Sequence, residues 1–436
     1  MKRDNLLKVI IVLVLFSFPL LMRGNKVVYI NTNGVTPTFE RVTAPDGSLG
    51  ESITNAVKVP GQIQLFSEDS TLLYDSGPYI ADTSGMTIKV RGNTSTKRKH
   101  LSYKIKLQQK ADLLIRNDSI NHQDKNWLLL DAQLFHIVGF YMNELLGMPY
   151  APKFELVDFV LNDSLCGRYL LTESVDRNSD CRIQVDKKEG YIIERDAYWW
   201  NEPLSFESSM FYGTYFRWTF KYPDADEVSL EQMTYITNAI NDLEAHLSDS
   251  TYAEYIDVES FAKWMLGHDI LGTYDGWGSN MYFAKFDKSA DSKIFMPCMW
   301  DFDTMAWTES QNSWVTAHTR SSCSYFPYLF ENTCDTTFTA TYCALWNAQG
   351  LQLISQIEEC MLPYATIFPA QYSAYKKWFA ERKAFMDEQV NTLHKAPFSA
   401  IRNTSKVRRA TKQSFDGHLY IVLPDGKKYN LLGQSL

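Results

Sequence analysis

The chain has no excess of positive charge: its formal net charge is -8 over 436 residues, with a pI near 5.6. That excludes a duplex nucleic-acid binder, which needs a basic face to neutralise phosphates. Its seven cysteines (Cys166, Cys181, Cys298, Cys323, Cys334, Cys343, Cys360) include no CxxC and no Cys/His run at metal-ligand spacing, so zinc is not expected. Cys323, Cys334 and Cys343 are close enough in sequence to pair locally, and the odd count leaves at least one thiol free; Cys166 and Cys298 read equally well as small buried apolar residues. Repeats and low-complexity tracts are absent too. What the chain does have is apolar bulk: 45% apolar residues, with 25 Tyr, 25 Phe and 11 Trp, enough to offset chain entropy and build a sizeable core.

Lys2 and Arg3 precede an apolar run from about Leu6 to Met22. With no clear small-residue cleavage site before Arg23, residues 1–24 read as an export signal or a retained membrane anchor. Residues 25–80 form a β-rich segment, in which VVYINT and KVPGQIQLF alternate with Gly, Pro, Asp and Ser punctuation. The next expected domain runs over 81–395. Within it, NWLLLDAQLFHIVGFYMNELLGM has helical spacing and ends at Gly147 before Pro149, which predicts a helix. FELVDFVLND and GRYLLTESVD predict two strands joined by an Asn-Asp-Ser turn. Helices follow in LEQMTYITNAINDLEAHL, in DVESFAKWMLGHDILGTY behind an Asp-Val-Glu-Ser cap, and over about 350–395. The tail, 396–436, is basic and then β-like, with Asp425-Gly426 as a hairpin turn.

The chemistry concentrates in TYDGWGSNMYFAKFDKSADSKIFMPCMWDFDTMAW, residues 273–307. Asp275 and Asn280 stand at the D-x4-N spacing of a kinase catalytic loop, where the Asp orients an acceptor hydroxyl and the Asn holds magnesium. MYFAKF and KIFMPCMW predict a hairpin that returns the chain to Asp301, so Asp275, Asn280 and Asp301 should converge. Converging carboxylates repel unless a cation or proton intervenes, so such a site exists to bind metal or share a proton. At the other end, MTIKVRGNTSTKRKHLSYKIKL places Arg91 after one strand and Lys104 and Lys106 on the polar face of the next. These basic groups are candidates for nucleotide phosphates, with Glu173 as the expected partner of the strand lysine; Lys97, Arg98 and Lys99 read as a solvated loop.

RGNTSTKRKHLSYKIKL, NWLLLDAQ, GRYLLTESVDR, IDVESFAKWMLGHDILGTYDGWGSNMYFAKF and MWDFD, in that order, resemble the motifs of the CotH (spore coat protein H-like) kinase family over roughly residues 80–310. The chain departs from the family at His136 and Ile137, where an Arg-Asn pair is usual. The resemblance implies an α+β, atypical protein kinase-like two-lobed fold, β-rich in its N-terminal part and more helical in its C-terminal part. It implies ATP with Mg²⁺ or Mn²⁺, and a surface or envelope protein substrate phosphorylated on Ser or Thr. By motif position it makes Asp275 catalytic and Asp301 metal-binding. Two alternatives compete: a non-catalytic kinase-like module for surface binding or adhesion, and a carboxylate-pair glycosidase using Asp275 and Asp301.

Overall fold

A computed structural model describes residues 25–37, 53–92, 94–116, 118–247, 249, 251–273, 280–306, 325–331, 337–395, 411–415, 418–422 and 428–429. The N-terminal leader, Asp275, Cys323, Cys334 and the Asp425-Gly426 turn lie outside these residues. The chain divides into two compact units, residues 1–393 and 394–436.

Strands β1 (Lys26–Asn31), β2 (Val59–Phe66), β3 (Leu72–Asp75), β4 (Met86–Arg91), β5 (Ser102–Ala111), β6 (Asp124–Asp131), β7 (Phe154–Leu161) and β8 (Ser164–Glu173) make one sheet. Its order, β1-β7-β8-β6-β5-β4-β2, closes because β1 also pairs with β2, giving a seven-stranded barrel with β3 attached to β2. Closure removes the edges that would otherwise template further pairing. The interior is filled by alternate residues, among them Val28, Ile30, Ile88, Ile105, Trp127, Leu129, Phe159 and Leu171. The β7–β8 hairpin has the tight turn expected from sequence: Asn162 and Asp163 both take positive φ (48° and 63°), as a two-residue type I′ turn requires.

One expectation fails here. NWLLLDAQ does not begin a helix; Asp124–Asp131 is strand β6, and helix α1 (Leu134–Leu145) starts only afterwards. Trp127 and Leu129 face the barrel core, while Leu128 and Leu130 face the second core outside it. A strand buried on both faces reads as an unbroken apolar run, which periodicity cannot separate from a helix.

The second core holds a five-stranded antiparallel sheet of β9 (Tyr191–Asp196), β10 (Ser205–Phe206), β11 (Arg217–Tyr222), β12 (Met281–Lys285) and β13 (Ile294–Phe295), ordered β10-β11-β9-β12-β13. Around it pack α2 (Leu230–His246), α3 (Tyr252–Tyr255), α4 (Val258–Leu271), α5 (Tyr325–Glu331), α6 (Thr337–Leu345), α7 (Leu351–Met361) and α8 (Pro369–Lys395). Helices α2 and α4 start as the sequence predicts. Ser229 and Gln232 form a reciprocal capping box, and Asp257 caps α4 by accepting from the Ser260 N–H at 2.9 Å. No helix among the described residues is long and apolar enough to cross a membrane. Cys343 is a buried free thiol, so it does not take part in the local pairing considered above. In the second unit, β14 (Thr411–Phe415), β15 (His418–Val422) and β16 (Lys428–Tyr429) form an antiparallel sheet.

Candidate functional site

Helix α4 stops at Gly272, whose φ of 62° and N–H to His268 O (2.8 Å) form a left-handed cap. The next residue, Thr273, is fastened by a 2.5 Å hydrogen bond between its hydroxyl and His268 Nδ1. Burial drives the His268 pKa down to about 3, so the ring is neutral at ordinary pH. The chain is described again from Asn280, at the start of β12. β12 pairs antiparallel with β13 (Ala284 opposite Phe295, Lys285 opposite Ile294), the expected hairpin, but its second strand stops at Phe295 and MPCMW continues as irregular chain. The return segment is then clamped against the helices. Tyr150 N–H donates to Pro297 O (2.8 Å), and the carboxamide of Asn143 grips the Met299 backbone from both sides, accepting from its N–H (2.7 Å) and donating to its C=O (3.1 Å). Gly139 on α1 lets the ring of Phe302 lie against the helix, since a Cβ there would overlap that ring.

This clamp delivers Asp301 to Asn280: the Asn280 Nδ2 donates to Asp301 Oδ2 at 3.0 Å. Both residues sit in the left-handed region, φ 58° and 61°, which Asn and Asp tolerate better than other side chains and which clusters at functional sites. Asp303, two residues on, binds Arg98 Nη2 at 2.7 Å, so the loop after β4, expected to be merely solvated, is tied to the Asp301 segment.

Across from this pair stands the outer face of the barrel. Thr87, Lys89 and Arg91 alternate outward on β4, and their register partners on β5 are Lys106, Lys104 and Ser102. Arg91 lies over the ring of Trp300, 5.3 Å from its centroid, immediately beside Asp301. Lys89 and Lys104 follow one step along the strands, and Lys106 a further two residues, about 7 Å, away. Lys104 is exposed to solvent, and Lys89, partly buried, has its pKa lowered to about 8 by burial and by Lys104 beside it. Two amines set side by side in register favour an anion between them.

The second sheet supplies the other wall. A bulge between Phe220 and Tyr222 frees Lys221, whose amine reaches Glu194 (2.8 Å) and Glu202 (3.5 Å). Those carboxylates hold the Lys221 pKa up against its burial, and burial, with Glu194 nearby, pushes Asp196 up to about 7. Lys89, Lys221, Glu194 and Glu202 were not singled out from sequence. Lys89 could have been, because it shares the alternation of Arg91 in MTIKVR; the others come from segments that carry no motif.

Glu173 corrects an expectation. It lies opposite Trp127, which lies opposite Ile105, so it shares the inward face of Ile105 rather than the outward face of Lys104. Its carboxylate meets His122 Nδ1 (2.9 Å), the Lys153 N–H (3.0 Å) and the Tyr150 hydroxyl (3.4 Å), not Lys104. The carboxylates acting on Lys104 are those of Asp176 and Glu202. His136, at the departure from the family pattern, has its pKa driven down to about 3 by burial and by Arg91 and Arg98. A neutral imidazole therefore stands beside Arg91 and Arg98.

No curated relative matches the chain. A family model described as CotH kinase protein does match, over residues 88–355, from within β4 to within α7. That span contains Arg91, Lys104, Lys106, Lys221, Asn280 and Asp301 and well over half of the chain, which therefore belongs to the CotH kinase protein family.

Proposed function

We propose that this chain is an exported, metal-dependent atypical protein kinase that passes the γ-phosphate of ATP to Ser or Thr of a surface or envelope protein. The observation that carries the reading is the Asn280–Asp301 contact at 3.0 Å, opposite a barrel face bearing Arg91, Lys89 and Lys104. A carboxylate and a carboxamide meeting at the start of a hairpin are hard oxygen donors of the kind Mg²⁺ or Mn²⁺ takes. The Asn280 amide now turns its nitrogen to Asp301; half a turn of its terminal torsion presents the oxygen instead. When bound, the cation would neutralise charge on the transferring phosphoryl group.

The residues of the chain then divide the work. Arg91, Lys89 and Lys104 hold nucleotide phosphates, Lys106 standing at the far end of the row. Asp275 orients the acceptor hydroxyl and takes its proton as the nucleotide diphosphate departs. The barrel and the second sheet act as the two lobes, and Glu194 and Glu202 fix Lys221 at their junction. Export rests on the Lys2–Arg3 charge pair and the apolar run behind it.

The test is transfer of radiolabelled phosphate from ATP with Mg²⁺ or Mn²⁺, run beside Asp301→Asn and Asp275→Asn. Transfer lost in both variants, with nucleotide binding kept by Asp275→Asn, is the expected result. A parent protein that binds its surface partner and transfers nothing, with either metal, supports the non-catalytic module instead.

A further inference from the structure

Behind the barrel wall, on the face opposite Lys104, three side chains unused by the cleft come together. One donor atom each from His122, Glu173 and Cys181 lie within 4.8 Å of one another. His122 and Glu173 are 1% and 0% exposed, and Cys181 is half-buried. The second imidazole nitrogen, Nε2, lies 3.2 Å from both oxygens of Asp118. The far oxygen of Glu173 accepts from the Lys153 N–H and from the Tyr150 hydroxyl. The two loops that supply His122 and Cys181 are held together independently. Asn121 donates to Asp180 (3.0 Å), Asn178 to Asp124 (2.8 Å), and Arg182 reaches both Asp124 (3.1 Å) and the Ser174 hydroxyl (2.8 Å).

We propose that His122, Glu173 and Cys181 form a site for a zinc-class divalent cation that staples the loop after β8 to the loop before β6. One nitrogen, one carboxylate oxygen and one sulfur make a borderline-soft donor set that suits Zn²⁺ and not Mg²⁺. Asp118 on the distal imidazole nitrogen is the carboxylate–histidine arrangement that fixes a ligand ring. The Lys153 and Tyr150 contacts fix the carboxylate in the same way. Binding displaces the Cys181 thiol proton to solvent, together with any proton on the nitrogen facing Glu173. Three protein donors leave a fourth tetrahedral position for water, and the solvent-facing side of Cys181 provides entry. Asp176, one of the carboxylates acting on Lys104, belongs to the stapled loop, so the cation would stiffen one wall of the cleft. Without a cation the same atoms close as a hydrogen-bonded cluster, with the imidazole bridging Glu173 and Asp118.

The full chain, stripped with a chelator, is titrated with Co²⁺ as a spectroscopic probe and with Zn²⁺. The expected result is about one equivalent of Co²⁺ bound with a thiolate-to-metal charge-transfer band, lost in Cys181→Ser and kept in Cys360→Ser. Asp118→Asn should weaken Zn²⁺ binding by about 10–100-fold. In the unsubstituted chain, Zn²⁺ should slow alkylation of Cys181 but not of Cys166, read by peptide mass spectrometry, so the test survives a poorly folding variant. Absence of the band, its persistence in Cys181→Ser, or alkylation of Cys181 that ignores Zn²⁺ overturns the site.

Discussion

Lys104 and Glu173 lie on nearby strands of one barrel, yet one projects from its outer face and the other into a buried polar cluster. Lys104 projects outward beside Lys89; Glu173 follows the inward register of Trp127 and Ile105 and is spent on His122, Tyr150 and Lys153. The difference is one step of strand parity. A charge on the outer face stays available for a partner that arrives later, whereas a charge on the inner face must be satisfied during folding, because desolvation leaves it no alternative.

The sharpest test of that contrast is stability. Glu173→Ala should lower the unfolding free energy by about 3–5 kcal/mol, since it strips a buried hydrogen-bonded group of its partner, while Lys104→Ala should move it by no more than about 0.5 kcal/mol. Denaturant titration of both variants checks this, and equal losses would erase the distinction. On the functional side the order should reverse. Asp301→Asn should reduce phosphate transfer by on the order of 100-fold while leaving the melt unchanged, because Asn tolerates the left-handed backbone and only the charge is removed. Lys104→Ala should weaken ATP binding by about tenfold, measured by calorimetry.

Packing behind the site comes next. Gly139→Ala should cost about 1–3 kcal/mol by thrusting a methyl into Phe302, and should lower transfer as well by displacing Asp301. The smallest effect is a pH slope. Because the Asp196 pKa is raised to about 7 in the folded protein, chiefly by burial, the native state holds a proton that the unfolded chain releases near pH 4. The stability this group contributes is therefore complete below about pH 4 and is lost as pH rises through about 7. Asp196→Asn should flatten that decline, so that the variant gains on the parent across this window in denaturation curves taken at several pH values.

Much of this was legible in the linear chain. Asn280 and Asp301 announced themselves by spacing and by the hairpin between them, and the outward lysines by simple alternation. The helix caps at Ser229 and Asp257 and the Asn162-Asp163 turn are local devices whose partners lie within a few residues, so sequence suffices to find them. Strand β6 was not legible, because two cores, one on each side, remove the polar alternation that marks a strand. Nor was the His122–Glu173–Cys181 cluster: its first two members are 51 residues apart, and a motif search sees only ligands spaced along one loop.

The residues by themselves determined the local conformations, the family and which side chains could carry charge, since each depends on near neighbours and on the order of motifs. Only the tertiary structure decided which carboxylate faces which amine. That choice follows from barrel closure and strand register, which are set by long-range pairing between β1, β2 and β7 and cannot be computed from any one strand.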